Sequence, residues 1–360
     1  MVERSFRWSR SFRWSSSSRP PPVGVIVGVV APEHDDRMSP VEELRAMITG
    51  FRLSAALCVA ADLGVSDELA GGPRPVAELA KAVSADPDTL HRLLHALATL
   101  GVYTEHKDGS FANTPLGEGL RSDVVGSMRP LARTLRDPAI WAAWGHLGHS
   151  VRTGENAFRA LHGMDVWVHR QDNPEDNAIF NDNMTAISAL VADAVATSYD
   201  FTGLSSVVDV GGGHGKLLEA VLTKHSHLKG TVFDQPHVVT GDPRWTVVTG
   251  SFFESVPSAD VYVLKSILHD WPDDECVEIL RTCQRSLNAG GVVLLVEMVL
   301  DRRGHEVDAA FGDLNMLVLP GGRERTEREY AALFDAAGLR LNRVIDTGTR
   351  FSILEAVATA

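Results

Sequence analysis

Apolar side chains that recur at intervals of three and four predict the first element, an amphipathic helix over residues 41–63. Residues 75–83 and 89–100 repeat this helical spacing after short polar turns. Residues 103–114 then alternate around an Asp-Gly pair, which is typical of a hairpin turn. The order of helix, turn, helix and hairpin predicts a winged-helix unit within residues 38–126.

The second segment, residues 127–200, has a helical pattern and is rich in aromatic residues. Most of these side chains fit an ordinary core. Flat rings and flexible thioethers also suit the wall of a cavity for an aromatic ligand. We expect a helical linker here that contributes part of a binding pocket.

The last segment, residues 201–360, alternates short apolar runs with helical patterns, which is typical of a mainly parallel sheet covered by helices. A closing hairpin turns at Gly348, so we expect an antiparallel final strand. The predicted strands are residues 207–210, 230–233, 245–248, 261–264, 292–299, 339–347 and 350–357, with helices at 217–224 and 274–287. The pattern favours an α/β, Rossmann-like domain.

The first 37 residues differ from the rest. RSFRWS occurs twice in succession and is followed by SSSSRPPP, so we expect this leader to be disordered. Its basic start and the apolar residues 23–31 resemble a signal peptide, but the run is rich in Val and Gly and follows three prolines. We favour the alternative that natural translation begins at Met38.

Charge argues against nucleic acid as a partner. The chain carries 34 basic and 47 acidic residues, a formal net charge of −13. Within residues 74–121, five basic residues face six acidic ones, whereas a DNA-reading winged helix needs a basic face. We therefore expect this unit to serve packing or dimer formation. A non-enzymatic DNA regulator remains the less favoured alternative.

Composition also bounds the location of the protein. With 44% hydrophobic and 22% charged residues, the chain is predicted to be an ordinary globular protein with no membrane partner. Its three cysteines are too few for a disulfide framework and lie in predicted helices. These features favour the cytoplasm.

A glycine-rich turn after the first strand of the last segment indicates the type of cofactor. The strand ends in the sequence Gly-Gly-Gly-His-Gly, whose backbone can approach a ligand closely. Lys216 occupies the position of the third glycine of a dinucleotide fingerprint, which disfavours a nicotinamide reductase. Asp234 ends the next strand, where a carboxylate can bind ribose hydroxyls. The pattern predicts a nucleoside cofactor without a pyrophosphate.

Four segments carry a family resemblance: VVDVGGGHGKLLEAVLTKH, GTVFDQPHVV, VLKSILHDWPDDE and GGRERTEREYAALFDAAG. They resemble the S-adenosylmethionine-dependent O-methyltransferases that act on plant phenols and bacterial aromatic natural products, over about residues 41–357. The resemblance implies a class I methyltransferase domain, S-adenosyl-L-methionine as cofactor, and a homodimer formed through the winged-helix unit.

The resemblance also implies the residues that bind the cofactor. Phe252 would flank the adenine, and Lys265 and Trp271 would lie beside the cofactor. Ser251 stands where the family usually has Asp, so it can hydrogen-bond adenine but supplies no carboxylate. The full predicted set is Gly211, Gly213, Asp234, Ser251, Phe252, Lys265 and Trp271.

Methyl transfer to a phenol of pKa about 10 benefits from a base of pKa near 6.5. His269 follows the strand at 261–264, at the edge of the sheet where ligands collect in such folds. By resemblance, Glu297 and Glu324 flank this histidine, and we favour Glu297 as the closer partner. An alternative makes Glu324 a helix-start residue near Thr326. Asp270 is expected to be structural.

For the acceptor, we expect Met184 and Met316 to contact an aromatic ring, with Trp141, Phe180 and Asp313 as weaker candidates. The histidines lack companions at metal-ligand spacing, so no metal site is predicted. The expected activity is methylation of a hydroxyl, phenolic in character, on a small aromatic natural product. An amine acceptor remains an open alternative.

Overall fold

A computed structural model describes residues 39–239, 241–302 and 304–359. The predictions about the leader, its disorder, its resemblance to a signal peptide and a start at Met38, lie outside these residues. The boundaries predicted at 126 and 200 stay predictions, because residues 38–360 group into one compact unit.

The amino-terminal helices begin at a capping box, in which Ser39 and Glu42 each accept a hydrogen bond from the other's backbone N–H. The helix expected over 41–63 is interrupted at Gly50, a weak helix former. The elements of this part are α1 (Pro40–Thr49), α2 (Phe51–Asp62), α3 (Val65–Glu68), β1 (Arg74–Pro75), α4 (Val76–Ala82), α5 (Pro87–Thr99), β2 (Tyr103–Glu105), β3 (Ser110–Asn113) and α6 (Pro115–Glu118).

The predicted helices 75–83 and 89–100 correspond to α4 and α5, and the hairpin corresponds to β2 and β3. The three short strands form one sheet in the order β1-β3-β2. Leu79, Leu94 and Phe111 are fully buried where these helices meet the sheet. In contrast, no residue of α1 is buried, and its apolar face is exposed.

The middle segment is helical, as its pattern predicted. Its last helix is long and packs against both α7 and the first helix of the following domain. Its helices are α7 (Arg129–Leu135), α8 (Pro138–Gly145), α9 (Leu147–Thr153), α10 (Ala157–His162), α11 (Val166–Asp172) and α12 (Pro174–Ser198).

The last segment forms a seven-stranded sheet in the order β6-β5-β4-β7-β8-β10-β9. Its elements are β4 (Ser206–Val210), α13 (Lys216–Lys224), β5 (Lys229–Asp234), β6 (Thr246–Thr249), β7 (Ala259–Lys265), α14 (Asp273–Ser286), β8 (Leu287–Glu297), α15 (Glu306–Val318), α16 (Glu327–Ala336), β9 (Leu339–Asp346) and β10 (Ser352–Ala358). The first five strands are parallel, and β10 is antiparallel to both β8 and β9. The α/β fold class and the antiparallel closing hairpin are confirmed.

Parallel pairing fixes the position of the candidate chemistry. The carboxyl ends of β4, β5, β7 and β8 meet at one edge of the sheet. The last residues of β5, β7 and β8 are Asp234, Lys265 and Glu297. Both faces of the sheet are covered by apolar clusters, so this edge is where polar side chains can meet a ligand.

Candidate active site

A cavity opens at this edge of the sheet, between the helical segment and the strand ends. Helices α11 and α12 supply one wall, and the glycine turn after β4 and the ends of β5 and β7 supply the other. Of the predicted cofactor residues, six line it: Gly211, Gly213, Asp234, Phe252, Lys265 and Trp271. One cavity therefore brings together residues that are far apart in sequence.

The glycine turn favours residues without a side chain at two positions. Gly211 has a φ of +67°, and a Cβ there would lie 2.3 Å from Cδ1 of Ile267. Gly213 has a φ of +57° and nothing within 4 Å of a Cβ position, which leaves open space beside its backbone. These positions favour glycine for different reasons, backbone conformation at both and close contact at the first.

Asp234 is tied to this turn. Its Oδ2 accepts a hydrogen bond from the N–H of Gly213 at 2.9 Å, and its Oδ1 accepts one from Gln235 at 2.7 Å. Burial raises the pKa of Asp234, and the two backbone donors oppose that rise. A carboxylate has about four lone-pair positions, so it keeps capacity for ribose hydroxyls.

Ser251 is the one predicted cofactor residue outside the cavity lining. It is not among the described residues that line the cavity. Its Oγ accepts a hydrogen bond from the N–H of Phe253 at 3.3 Å. The short hydroxyl caps its own turn, a common use of serine that competes with more distant contacts. The expected contact of Ser251 with adenine stays a prediction.

His269 lies in a single turn, Leu268–Asp270, directly after β7 and close to two buried carboxylates. Its Nδ1 is 2.9 Å from Oε1 of Glu324 and 3.8 Å from Oε2 of Glu297. Oε1 of Glu297 instead accepts hydrogen bonds from the backbone N–H groups of residues 267 and 268, each at 3.0 Å. The expected order of the two carboxylates was wrong: Glu324 is the direct partner of the histidine.

The alternative role for Glu324 is also wrong. Helix α16 begins with Thr326 as its cap and Glu329 as the reciprocal partner, so Glu324 does not cap it. Oδ1 of Asp313 accepts a hydrogen bond from the N–H of Glu324 at 2.9 Å. Asp313 thus holds the backbone that carries Glu324, and it does not line the cavity as a substrate residue.

Asp270 was expected to be structural, and its position differs from that expectation. Its side chain lines the cavity, and its Oδ1 lies 3.6 Å from Nε2 of His269. The side chain of His269 is 13% exposed, and His269 is not among the described residues that line the cavity. Nε2, the nitrogen that Glu324 leaves unbound, is the one nearer to Asp270, which does line it.

The charges of these groups act on one another. Burial disfavours the charged imidazole, but Glu324, Glu297 and Asp270 outweigh it and raise the pKa of His269 to about 10. Burial raises the pKa of Glu297 to about 7 and that of Asp270 to about 6, against the opposing effect of the histidine. The site therefore favours a proton held on His269 between acidic neighbours.

Comparison with known proteins identifies the family. The O-methyltransferase domain profile matches residues 144–340, and the O-methyltransferase dimerisation domain profile matches residues 46–123. The chain belongs to the O-methyltransferase family. It is 40% identical over 325 residues to phenazine O-methyltransferase PhzM of Lysobacter antibioticus, covering 87% of this chain and 95% of that protein.

Solved structures agree with this assignment. The crystal structure of LaPhzM has a TM-score of 0.86 and 39% identity, covering 89% of this chain and 100% of that one. A second solved structure is NcsB1 from neocarzinostatin biosynthesis, in complex with S-adenosyl-L-homocysteine and 1,4-dihydroxy-2-naphthoic acid. It has a TM-score of 0.73 and 36% identity, covering 85% of this chain and 96% of that one. This protein is an S-adenosylmethionine-dependent O-methyltransferase.

The residues of this O-methyltransferase fit such a cofactor. The open backbone at Gly213 and the buried carboxylate of Asp234 suit a ribose. Asp209, which also lines the cavity, is buried and has an Oδ2 without a partner among the described residues. Burial raises the pKa of Asp209 to about 7. An orphaned buried oxygen at the cavity wall is consistent with a hydrogen-bonding ligand there.

The predicted acceptor residues of the O-methyltransferase divide into two groups. Phe180 and Met184, both on α12, line the cavity. Met316 is buried at 8% exposure and Trp141 lies on α8, and neither is among the described residues that line it. Spacing on a helix could not distinguish a core methionine from a cavity methionine, because both look apolar in sequence.

Sequence reasoning missed the residues that hold the histidine turn in place. Arg325 is 1% exposed and donates hydrogen bonds to the carbonyl oxygens of Leu268 and Trp271, at 2.9 and 2.8 Å, and to Asp273. Gly322 packs against the same turn, where a Cβ would lie 2.0 Å from the carbonyl oxygen of His269. No sequence signal marked Arg325, because an arginine in GGRERT looks like a solvent-exposed one until the fold buries it and requires partners for its charge.

Among the residues that the structure describes, two side-chain groups of the O-methyltransferase have ligand atoms close enough together to hold a metal ion. These are His269 with Glu297 and Glu324, and Asp137 with His169 and Asp176. The sequence prediction of no metal site overlooked both, because their members come from different elements. That prediction stays untested.

Proposed function

We propose that this O-methyltransferase methylates a phenolic hydroxyl of a small aromatic natural product, with His269 as the general base. The observation that carries the proposal is the 2.9 Å contact between Nδ1 of His269 and the buried Glu324, which leaves Nε2 unbound and 3.6 Å from Oδ1 of Asp270, a residue of the cavity wall. In the fraction of molecules whose imidazole is unprotonated, a fraction that grows as the pH rises toward its raised pKa, this contact keeps the remaining proton on Nδ1, and Nε2 is the nitrogen that accepts a proton.

The proposed roles follow from this contact. When bound, S-adenosylmethionine supplies an electrophilic methyl group on a sulfonium. Nε2 of His269 takes the proton of the acceptor hydroxyl and so raises the nucleophilicity of its oxygen. Glu324 stabilises the resulting imidazolium, and Glu297 adds a second negative charge behind it. Asp270 lies 3.6 Å from Nε2 and suits orientation of the hydroxyl.

Binding is divided between the two walls of the cavity. Gly211, Gly213 and Asp234 would hold the nucleoside, with Lys265 as a nearby cation. Phe252 and Trp271, whose rings lie 5.9 Å apart edge to face, would flank the adenine and close that end against water. On the opposite wall, Phe180 and Met184 would contact the aromatic ring of the acceptor.

The relatives support an aromatic acceptor. NcsB1 is solved with 1,4-dihydroxy-2-naphthoic acid, and the relative PhzM is named for phenazine. The helical wall of the cavity, with Trp167 and Phe180, has the flat, polarisable surfaces that such rings pack against.

We further propose a cytoplasmic homodimer formed through the winged-helix unit. Leu44, Met47, Ile48 and Phe51 on α1 and α2 are each more than half exposed. By length and composition, Pro40–Asp62 is also apolar enough to cross a membrane. A second copy is the occupant we favour, since the dimerisation-domain match at residues 46–123 overlaps this face. Nucleic acid is not proposed as a partner.

The test is methyl transfer from labelled cofactor to aromatic hydroxy acids, anthraquinones, flavonoids and one aniline, with wild type and His269→Ala. The variant should bind S-adenosylhomocysteine as wild type does and lose at least about 100-fold in turnover. The matched control is His106→Ala, because His106 is exposed on the hairpin. Turnover of His269→Ala within threefold of wild type would mean catalysis by proximity alone. If only the aniline is labelled, the acceptor group is an amine and not a hydroxyl.

A further inference from the structure

Arg170 is a cation in the cavity wall that the proposed mechanism does not use. It lies on α11, and its guanidinium carbon is 3.4 Å from the ring centre of Phe180 and 4.9 Å from that of Trp167. These contacts hold the planar group against two aromatic rings. Stacking occupies the faces of a guanidinium and leaves its N–H edges available.

The N–H edges of Arg170 have no protein partner. No described residue accepts a hydrogen bond from it, and no described carboxylate lies within the 4.0 Å distance of an ion pair. Burial lowers the pKa of Arg170 to about 10, against the weaker effects of Asp270 and Asp137, so it remains a cation at neutral pH. Arg170 is half-buried, and its five N–H donors are available to a ligand in the cavity.

The other cations of the cavity wall differ from Arg170. Lys216 is paired with Glu219 at 2.7 Å, and Lys265 donates to Ser266 at 3.2 Å beside the glycine turn. Packing alone also accounts poorly for Arg170, because an apolar side chain would fill the space beside Phe180 without burying a charge.

The position of Arg170 indicates which ligand it meets. Arg170 stacks on Phe180, which is assigned to the acceptor. The charge of Asp270, the residue 3.6 Å from Nε2 of His269, also acts on Arg170. Phe180 and Met184 belong to the same wall. Arg170 therefore lies on the wall assigned to the acceptor, whereas the glycine turn and Lys265 form the wall assigned to the cofactor.

We propose that Arg170 binds a carboxylate of the acceptor, so that the natural substrate class is hydroxylated aromatic acids. The planar fork of a guanidinium matches a carboxylate in two parallel hydrogen bonds, which would also orient the ring with its hydroxyl toward His269. This inference rests on the proposed function. The methionyl carboxylate of the cofactor has the same chemistry and is the competing source.

Equilibrium binding separates these sources. The enzyme is saturated with S-adenosylhomocysteine and titrated by calorimetry with 6-hydroxy-2-naphthoate and with its methyl ester, which keeps the ring and hydroxyl but removes the charge. Variants are Arg170→Gln, Arg170→Lys and the control Arg159→Gln, at an exposed arginine of α10. S-adenosylhomocysteine affinity is measured separately for each protein. Thermal melting verifies folding.

Wild type should bind the acid at least tenfold more tightly than the ester. In Arg170→Gln, the affinities for the acid and the ester should differ by less than threefold, while the affinity for S-adenosylhomocysteine stays within threefold of wild type. Arg170→Lys should keep part of the preference, and Arg159→Gln should keep all of it. If Arg170→Gln does not fold, Arg170→Lys decides, because an acid preference there as large as that of wild type would contradict a bidentate contact with the guanidinium.

Three results would overturn the inference. The first is a wild type that binds the ester as tightly as the acid, or binds no acid at about 1 mM, the upper end of the usual KM range for substrates. The second is an Arg170→Gln variant that still binds the acid more tightly than the ester, as wild type does. The third is a tenfold loss of S-adenosylhomocysteine affinity in Arg170→Gln, which would assign Arg170 to the cofactor. Binding requires no proton transfer, so an inactive or fully active His269→Ala leaves this test unaffected.

Discussion

His269 Nδ1 is closer to Glu324 Oε1, at 2.9 Å, than to Glu297 Oε2, at 3.8 Å. Both carboxylates are fully buried, yet they serve different partners. One oxygen of Glu297 accepts hydrogen bonds from the backbone N–H groups of residues 267 and 268, and these bonds fix the turn that carries the histidine. Glu324 fixes the imidazole itself. The two residues are therefore expected to respond differently to the same substitution.

The first prediction compares Glu324→Gln with Glu297→Gln. An amide at 324 can donate to Nδ1 and thereby place the proton on Nε2, the tautomer that cannot act as the base. We expect turnover to fall by about 100-fold for Glu324→Gln, and by less for Glu297→Gln, whose amide oxygen still accepts the two backbone bonds. Steady-state kinetics at saturating cofactor measure both. Equal losses would contradict the separate roles.

The second prediction concerns pH. The base works when unprotonated, and neighbouring carboxylates raise the pKa of His269 to about 10, so its active fraction grows as pH rises. The acid limb of kcat/KM should therefore lie above pH 6.5, the ordinary value for histidine. Glu324→Gln removes one negative charge, so its limb should move to lower pH. Profiles from pH 6 to 10 measure this, and an unmoved limb would argue that another group titrates.

The third prediction is that Asp234→Asn weakens cofactor binding. The amide loses the charge-assisted acceptor that now takes the N–H of Gly213 at 2.9 Å. We expect the Kd for S-adenosylhomocysteine to rise by about 10- to 100-fold, with turnover at saturation little changed. Calorimetry provides the Kd. Asp200→Asn, at an exposed position, is the control and should bind as wild type does.

The fourth prediction is that Gly322→Ala disturbs the catalytic turn. A Cβ at 322 would lie 2.0 Å from the carbonyl oxygen of His269 and 2.4 Å from the carbonyl carbon of Asp270, so backbone must move. We expect a loss of about 1–3 kcal/mol in the free energy of unfolding together with reduced turnover. Gly71→Ala, with nothing within 4 Å, should change neither. Chemical denaturation and activity assays test the pair.

The fifth prediction addresses the apolar face of α1. Leu44 and Ile48 are 57% and 67% exposed, and burial of this face in a second copy would make charges there unfavourable. The double variant Leu44→Asp, Ile48→Asp should be monomeric by light scattering. Val125→Asp, at a residue that is 98% exposed outside this face, should stay dimeric. A wild type that is itself a monomer would refute the assignment.

Much of the fold was predictable because it depends on periodic patterns. The buried strands of the sheet, the glycine turn and the closing hairpin each have a local signature, and all three predictions agree with the structure. Helices α15 and α16 were not delimited, since their apolar positions serve both the core and the site. The break at Gly50 was also missed, because a helical face continues across it.

Site residues could be predicted only where they belong to a recognisable sequence motif. The turn that carries His269 and the glycine turn have recognisable sequences, whereas the choice between Glu297 and Glu324 depends on a distance difference of about 1 Å that no spacing encodes. Arg170 carries no motif at all. Its role depends on which rings surround it, and those rings come from two helices that pack only in the folded chain.

The origin of the two cavity walls has an evolutionary consequence. The proton-handling group is anchored in the sheet domain by Arg325 and the carboxylates, while the acceptor side is built from α11 and α12. Mutations in those helices can diversify which molecules are accepted without dismantling the reaction centre. Enzymes of this kind can therefore acquire new acceptors through substitutions in α11 and α12 alone, a stretch of about 30 residues.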